Sequence, residues 1–179
     1  GVVERFVDNT IGPTFGFRPK TEDPGWNQAA HEWMVEQQGL GCESRGLFDW
    51  HEILRLSMRN LMTDGDSVLI HLSDRKLQAV EAHEIATPLD AKRRGKKVVN
   101  GVEVNKAGRP LAFWISPKQR NGYFGRMADG RRVPVEETVW PAYRTRFTQT
   151  RGTPILTSAF KHYDRLDGYI DAESLAAEI

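Results

Sequence analysis

The sequence contains very little cysteine and no long apolar run. Cys42 is the single cysteine in 179 residues, so the chain cannot form an internal disulfide, which suits a reducing compartment. A lone thiol without neighbouring ligands is usually a small buried side chain, and we expect Cys42 to be one. No apolar stretch approaches the roughly 20 residues that a membrane span requires. The first nine residues carry charges where a signal peptide is apolar, so we expect neither export by that route nor membrane insertion.

Patterns that bind metals or perform catalysis are missing too. The five histidines show no H-E-x-x-H spacing, and Asp64-Gly65-Asp66 lacks the further ligands of a calcium loop. Asp and Gly between a helix and a strand are typical of a turn, which is how we interpret this tripeptide. Neither a G-x-S-x-G segment nor a supported Cys–His arrangement is present. We therefore predict no enzymatic activity, no cofactor and no metal site.

Positive and negative charges nearly cancel over the whole chain, but they are segregated along it. The formal net charge is only +1, yet residues 1–89 have 14 acids and 8 bases, residues 90–152 have 5 and 15, and residues 153–179 have 5 and 2. Such segregation indicates an anionic partner or charge-complementary neighbours. The densest group of cations is the segment KRRGKK, residues 92–97.

Two amphipathic helices are predicted in the first half. Trp26 and Trp33 lie on one face of the first helix, and we expect them to pack in the core, with a binding stripe as the alternative. The second helix begins after Asp49, which forms a capping box with Glu52 three residues later. The predicted buried face of this helix consists of Trp50, Ile53, Leu54, Met58, Leu61 and Met62.

Three β-hairpins are predicted after these helices. SVLIHL is a continuous apolar strand, and KLQAVEA is its partner across the turn SDR. Apolar residues alternate within residues 98–116 on both sides of a Gly-containing turn, which predicts the second hairpin, and residues 122–140 form the third hairpin with Asp129-Gly130 at its turn. The resulting fold class is α+β, in which short amphipathic helices pack on antiparallel hairpins and a longer helix ends the chain.

We divide the chain into three regions. Residues 1–89 form a lobe of helices and a hairpin, residues 90–152 form a basic β-hairpin region, and residues 153–179 form the start of a long helix. This helix is predicted from about Pro154, with Thr153 as its cap. Because no helix stop signal follows it and position 1 is not Met, we expect the chain to be a fragment of a longer protein.

Basic side chains at the predicted loop tips are candidates for contact with a partner protein or with DNA. A run of like charges repels itself and prefers water, so a solvated loop is an equally open interpretation. The candidate residues are Lys92, Arg93, Arg94, Lys96, Lys97, Arg131 and Arg132.

Several segments occur together, in the same order, in the lambda-type family of phage portal proteins. They are VDNTIGP, FDWHEILRLSMRNLMTDGDSVLI, KLQAVEAHEIATP, GVEVNKAGRPLAFWIS, RRVPVEETVW and TRGTPIL. Each segment alone is a weak signal, but the collinear set is specific and covers nearly the whole chain. The sequence therefore resembles the N-terminal part of a lambda-type portal protein.

The resemblance implies a non-enzymatic ring subunit at one vertex of the capsid of a bacteriophage or prophage. Double-stranded DNA would be packaged and later ejected through the ring, which is expected to be a dodecamer in the full-length protein. The implied partners are copies of the subunit itself, the terminase motor, head-completion proteins, capsid proteins and the passing DNA. The implied localisation is the virion, with the host cytoplasm during assembly.

The sequence departs from the family pattern in two places. Trp140 stands where the family usually has a His, and YRTR at residues 143–146 replaces Arg-Pro-Gly, so no role of that His carries over. The family's C-terminal half is not among these residues. A stand-alone β-rich nucleic-acid-binding module that uses its basic loops is the alternative function, and it would bind DNA with a steep salt dependence.

Overall fold

The computed structural model describes residues 1–14, 16–88, 91, 95–116 and 130–177, and these form four α-helices and seven β-strands. The helices are α1 (Val2–Ile11), α2 (Pro24–Gln37), α3 (Trp50–Thr63) and α4 (Thr157–Ala177). The strands are β1 (Ser67–His71), β2 (Leu77–Glu81), β3 (Val98–Val99), β4 (Val102–Val104), β5 (Pro110–Ile115), β6 (Arg131–Pro134) and β7 (Thr138–Val139). This arrangement confirms the predicted α+β class. None of the helices among these residues is long and apolar enough to cross a membrane.

Helix α3 begins as its sequence predicts. The Asp49 carboxylate accepts a hydrogen bond from the Glu52 backbone N–H at 2.8 Å, and the Glu52 carboxylate accepts one from the Asp49 N–H at 2.9 Å. This reciprocal pair satisfies amides of the first turn and confirms the capping box. On the predicted buried face only Ile53 and Met62 are buried. The other four residues are half-buried, so the face is placed correctly but is covered less than predicted.

The strands form two antiparallel sheets, with strand orders β2-β1-β7 and β3-β4-β5-β6. Pairing of β1 with β2 and of β4 with β5 confirms the first two hairpins. The first part of the third predicted hairpin, residues 122–129 with Asp129 of its turn, lies outside the described residues. Of its described part, β6 pairs with β5, and β7 pairs with β1.

The first sheet lies between α3 and the second sheet. On one face Leu69 and Leu77 pack against Ile53 of α3, and on the other face Val68 and Ile70 pack against the second sheet. A strand covered on both faces needs apolar residues at consecutive positions, which explains the unbroken apolar run of β1. The main core consists of Val68, Ile70, Val80, Ile85, Val102, Val104, Phe113, Ile115 and Val133.

The prediction that the α2 tryptophans pack in the core is wrong for this chain. Trp26 and Trp33 are 55% and 51% exposed, and α2 contains no buried residue. The helix itself forms as expected, with Asp23 accepting a hydrogen bond from the Trp26 N–H at 3.1 Å and Pro24 in the first turn. Helical spacing of apolar residues identifies a face that favours burial, but it does not identify the surface that covers it.

The last helix begins later in the sequence than predicted. α4 begins at Thr157 rather than near Pro154, and Thr153 does not cap it. Instead, the Thr153 N–H donates to the carbonyl of Tyr143 at 2.9 Å, and its hydroxyl accepts from Gln149 at 2.5 Å. These contacts hold Thr153 in the preceding loop. Cys42 was expected to be buried but is only partly buried, where it packs against the cluster of Ile53, Leu69 and Leu77, and burial raises the pKa of its thiol.

Candidate partner interface

The described candidate cations fall into two groups that differ in their partners. Lys92, Arg93 and Arg94 lie outside the described residues. Lys96 and Arg132 converge on a single carboxylate, that of Glu103. Lys97 and Arg131 are exposed, and Arg131 donates a hydrogen bond to the side-chain oxygen of Gln78 at 2.9 Å.

Glu103 is the centre of a polar cluster on the outer face of the second sheet. Its β4 position alternates with the core residues Val102 and Val104, so its side chain points away from the core. Arg132 of β6 donates to it from Nε at 2.8 Å and from a terminal nitrogen at 3.2 Å. Lys96 Nζ donates at 3.1 and 3.2 Å, and the indole Nε1 of Trp114 on β5 donates at 3.2 Å.

These contacts cover Glu103 and keep it charged. Glu103 is only 7% exposed, yet the hydrogen bond from Arg132 lowers the pKa of its carboxyl, with Lys96 acting in the same direction against the effect of burial. The same carboxylate raises the pKa of Arg132. Since Lys96 and Arg132 already have a carboxylate partner, a phosphate would have to compete with Glu103 for them. They are therefore weaker candidates for DNA contact than their sequence positions indicate.

A groove beside this cluster was not predicted from the sequence. It has a volume of about 740 Å³, and its lining includes Lys97, Val104, Trp140, Arg144 and Phe147. The Arg144 guanidinium lies 3.9 Å from the centre of the Trp140 ring, which is a stacked cation–π contact. Burial lowers the pKa of Arg144, but an arginine stays charged at physiological pH.

Trp140 connects this groove to the core. Its ring packs edge-to-face on Phe113, with the ring centres 4.8 Å apart. Its buried indole N–H has no acceptor among the described residues. Phe147 is fully exposed at the rim of the groove. Aromatic and cationic side chains thus meet at a surface that is open to solvent, and the signal for it was the combination of Trp140 with the arginines of YRTR.

The acidic tripeptide forms a turn and an internal ion pair. Asp64 and Gly65 form the turn after α3, and Asp66 is fully buried. Arg151 binds the Asp66 carboxylate through two nitrogens, at 2.6 and 2.7 Å. Among the residues described, no group of three or more His, Cys, Asp or Glu side chains is placed to hold a metal ion.

Comparison with known protein families supports the resemblance that the sequence segments indicate. The family model described as phage portal protein, lambda family, matches residues 1–179, which is the entire sequence. A search of curated protein sequences gave no match. Because the family match covers every segment from α1 to α4, this chain belongs to the lambda family of phage portal proteins.

Proposed function

We propose that this chain is part of a ring-forming portal subunit at the unique vertex of a phage capsid, through which double-stranded DNA is packaged and ejected. The observation that carries the proposal is the family match over all 179 residues. Portal proteins of this family are structural components of the virion. The proposed partners are neighbouring copies, with a dodecamer as the expected ring, together with the terminase motor, head-completion proteins and capsid proteins.

The exposed apolar surface supports a function in assembly. Trp26 and Trp33 on α2, and Phe160 and Tyr163 on α4, are each more than half exposed. Large aromatic side chains on two helices of one chain are typical of surfaces that other proteins cover. Segregated charge supports the same view, since a heterologous ring contact joins two different faces of one subunit and opposite charges favour their pairing.

The Glu103 cluster disfavours the alternative of a stand-alone nucleic-acid-binding module. Such a module needs cations that are free to replace the counterions of DNA phosphates. Of the four described candidate cations, Lys96 and Arg132 are paired with Glu103, and Arg131 is bonded to Gln78. A conduit has the opposite requirement, because DNA that slides through it should be held weakly.

The proposal is tested on the full-length protein by native mass spectrometry and negative-stain electron microscopy. We expect closed rings whose mass is twelve times that of the subunit. A protein that stays monomeric at micromolar concentration would contradict the ring. Anisotropy titrations with labelled duplex DNA between 50 and 200 mM salt test the alternative, since a binding module would show tight binding with a steep salt dependence.

A further inference from the structure

From His162 onward, helix α4 is not covered by the residues of its own chain that the structure describes. From His162 to Ser174, every side chain that the structure describes is exposed. A 21-residue helix is roughly 30 Å long. Most helices of this length owe their stability to an apolar face that packs against another element. The described residues of this chain do not supply such an element for α4.

One face of α4 has the composition of a docking surface. Tyr163, Leu166 and Ile170 follow each other at three- and four-residue spacing, so they share one face, and each is 50–53% exposed. Asp167 and Asp171, which are four residues apart and exposed, flank this face on one side. The helix thus presents an apolar stripe with an acidic border.

The groove described above has the complementary composition. Its apolar part includes Val104 and Trp140, and Phe147 extends it into solvent. Its charged side chains, Lys97 and Arg144, are both cationic, and neither forms an ion pair with a described residue. α4 contributes no described residue to the lining of this groove in its own chain.

We propose that α4 of one subunit docks into the Lys97–Arg144 groove of a neighbouring copy of the same chain. Tyr163, Leu166 and Ile170 pack on Trp140 and Phe147, while Asp167 and Asp171 pair with Lys97 and Arg144. The two surfaces are different parts of one chain, so the contact is heterologous and propagates around a closed ring. This inference rests on the proposed ring, and it specifies which surfaces form the contact between subunits.

Charge reversal in the full-length protein tests the pairing. We expect Asp167→Lys with Asp171→Lys to lower the fraction of assembled rings at least tenfold, and Lys97→Glu with Arg144→Glu to do the same. Combining all four substitutions should restore most of the assembly, because the signs are complementary again. The matched control for the aspartate pair, Asp74→Lys with Glu137→Lys, changes the net charge by the same amount and sign at exposed positions that neither lie on α4 nor line the groove, and it should leave assembly unchanged.

A disulfide test reads the contact directly. In a Cys42→Ser background, Tyr163→Cys together with Phe147→Cys should join copies into ladders on a non-reducing gel, and either cysteine alone should not. A bond within single subunits would mean that α4 closes over its own groove, which overturns the inference. Dimers from Tyr163→Cys alone would mean that α4 packs against another α4, which overturns it as well.

Different outcomes contradict the proposed ring and the proposed docking contact. If the unmodified protein forms rings but both charge-reversed variants assemble normally, the docking inference is wrong and the proposed function stands. The same holds if both variants fail to assemble and their combination does not recover. If the unmodified protein forms no ring at all, the proposed function is wrong and the docking inference falls with it.

Discussion

Arg151 joins segments that are distant in the sequence. Its guanidinium binds both oxygens of Asp66, and its remaining N–H groups donate to the carbonyls of Ala82, Ile85 and Asn100 at 3.0–3.2 Å. The Arg151 side chain is 15% exposed and that of Asp66 only 1%. A planar fork with five donors is suited to such a site, and a lysine is not. One side chain therefore aligns the start of β1 with the loops on both sides of β3.

Replacing Arg151 should be among the most destabilising changes in the chain. Arg151→Ala leaves the Asp66 carboxylate buried without its partner, so we expect a loss of about 3–5 kcal/mol in the free energy of unfolding. Arg151→Lys keeps the charge but loses the fork, and should fall between alanine and the unmodified chain. Urea denaturation followed by circular dichroism measures both. A loss below about 1 kcal/mol for the alanine variant would show that the pair contributes little.

Glu103 and Glu43 make stability depend on pH in the acidic range. Hydrogen bonds lower the pKa of both carboxyls below the ordinary 4.5. For Glu103 the main donor is Arg132. For Glu43 burial acts in the opposite direction, but hydrogen bonds from the Arg45 side chain and from two backbone amides outweigh it. Between the folded and unfolded pKa values the unfolded chain binds more protons, so stability falls as pH falls. This contribution is complete above about pH 5 and is lost progressively below about pH 4.5.

We expect Glu103→Gln to remove its share of this dependence. The variant should be less stable than the unmodified chain at pH 7, because Arg132 and Lys96 lose their charged partner, and the difference should shrink as pH falls from 5 to 3. Urea denaturation at five pH values measures it. A stability difference that stays constant over this range would mean that the Glu103 carboxylate is not favoured in the folded state.

At the scale of elements, α3 and the segment before α4 are held in close backbone contact. The N–H groups of Ile155 and Leu156 donate to the carbonyls of Leu61 and Met62 at the end of α3, at 3.2 and 3.3 Å. A Cβ on Gly152 would lie 1.9 Å from the carbonyl oxygen of Gly65, so only glycine allows this approach. The close approach of the loops that contain Gly65 and Gly152 therefore fixes where α4 leaves the body of the protein.

Two glycine substitutions test this contact. Gly152→Ala should destabilise the chain by about 1–3 kcal/mol or more, because the nearest atoms that a Cβ would meet are backbone atoms of Gly65, and overpacking of this kind forces the loops apart. Gly168→Ala is the matched control within α4, where a Cβ meets nothing within 4 Å, and it should be neutral or stabilise by up to about 1 kcal/mol. Thermal melting of both variants measures the difference. Equal melting temperatures would contradict the close approach.

At the scale of the whole molecule, substitutions in the basic region, residues 90–152, distinguish a contact with DNA from a contact with protein. We expect replacement of Lys92, Arg93, Arg94 and Lys97 by Ser to leave the fold intact, lower ring assembly or packaging, and change duplex DNA binding only slightly at physiological salt. Lys96 is kept in this variant because it belongs to the Glu103 cluster. Each phosphate contact contributes about 0.9 to the slope of log K against log salt, so loss of a four-residue DNA grip would reduce that slope by about 3 to 4. Normal assembly with such a reduced slope would identify the region as a DNA contact.

Local features of this fold were predictable from the sequence. The α3 capping box, the first two hairpins and the turn at Gly65 each depend on residues within a few positions of one another, and period-2 or helical spacing reports them directly. The family could also be read from the sequence, because it rests on the order of segments along the chain and requires no three-dimensional contact.

The tertiary structure alone decided which polar and aromatic groups meet. Asp66 and Arg151 are 85 residues apart in the sequence. Glu103 receives hydrogen bonds from β5, from β6 and from the loop before β3. No local sequence pattern therefore predicts either cluster. The groove at Trp140 exists only because the YRTR segment folds beside the β4–β5 turn. The exposure of Trp26 and Trp33 was mispredicted for a related reason. Hydrophobic spacing expresses a preference for burial, whereas actual burial depends on which surface the fold, or a neighbouring chain, brings against that face.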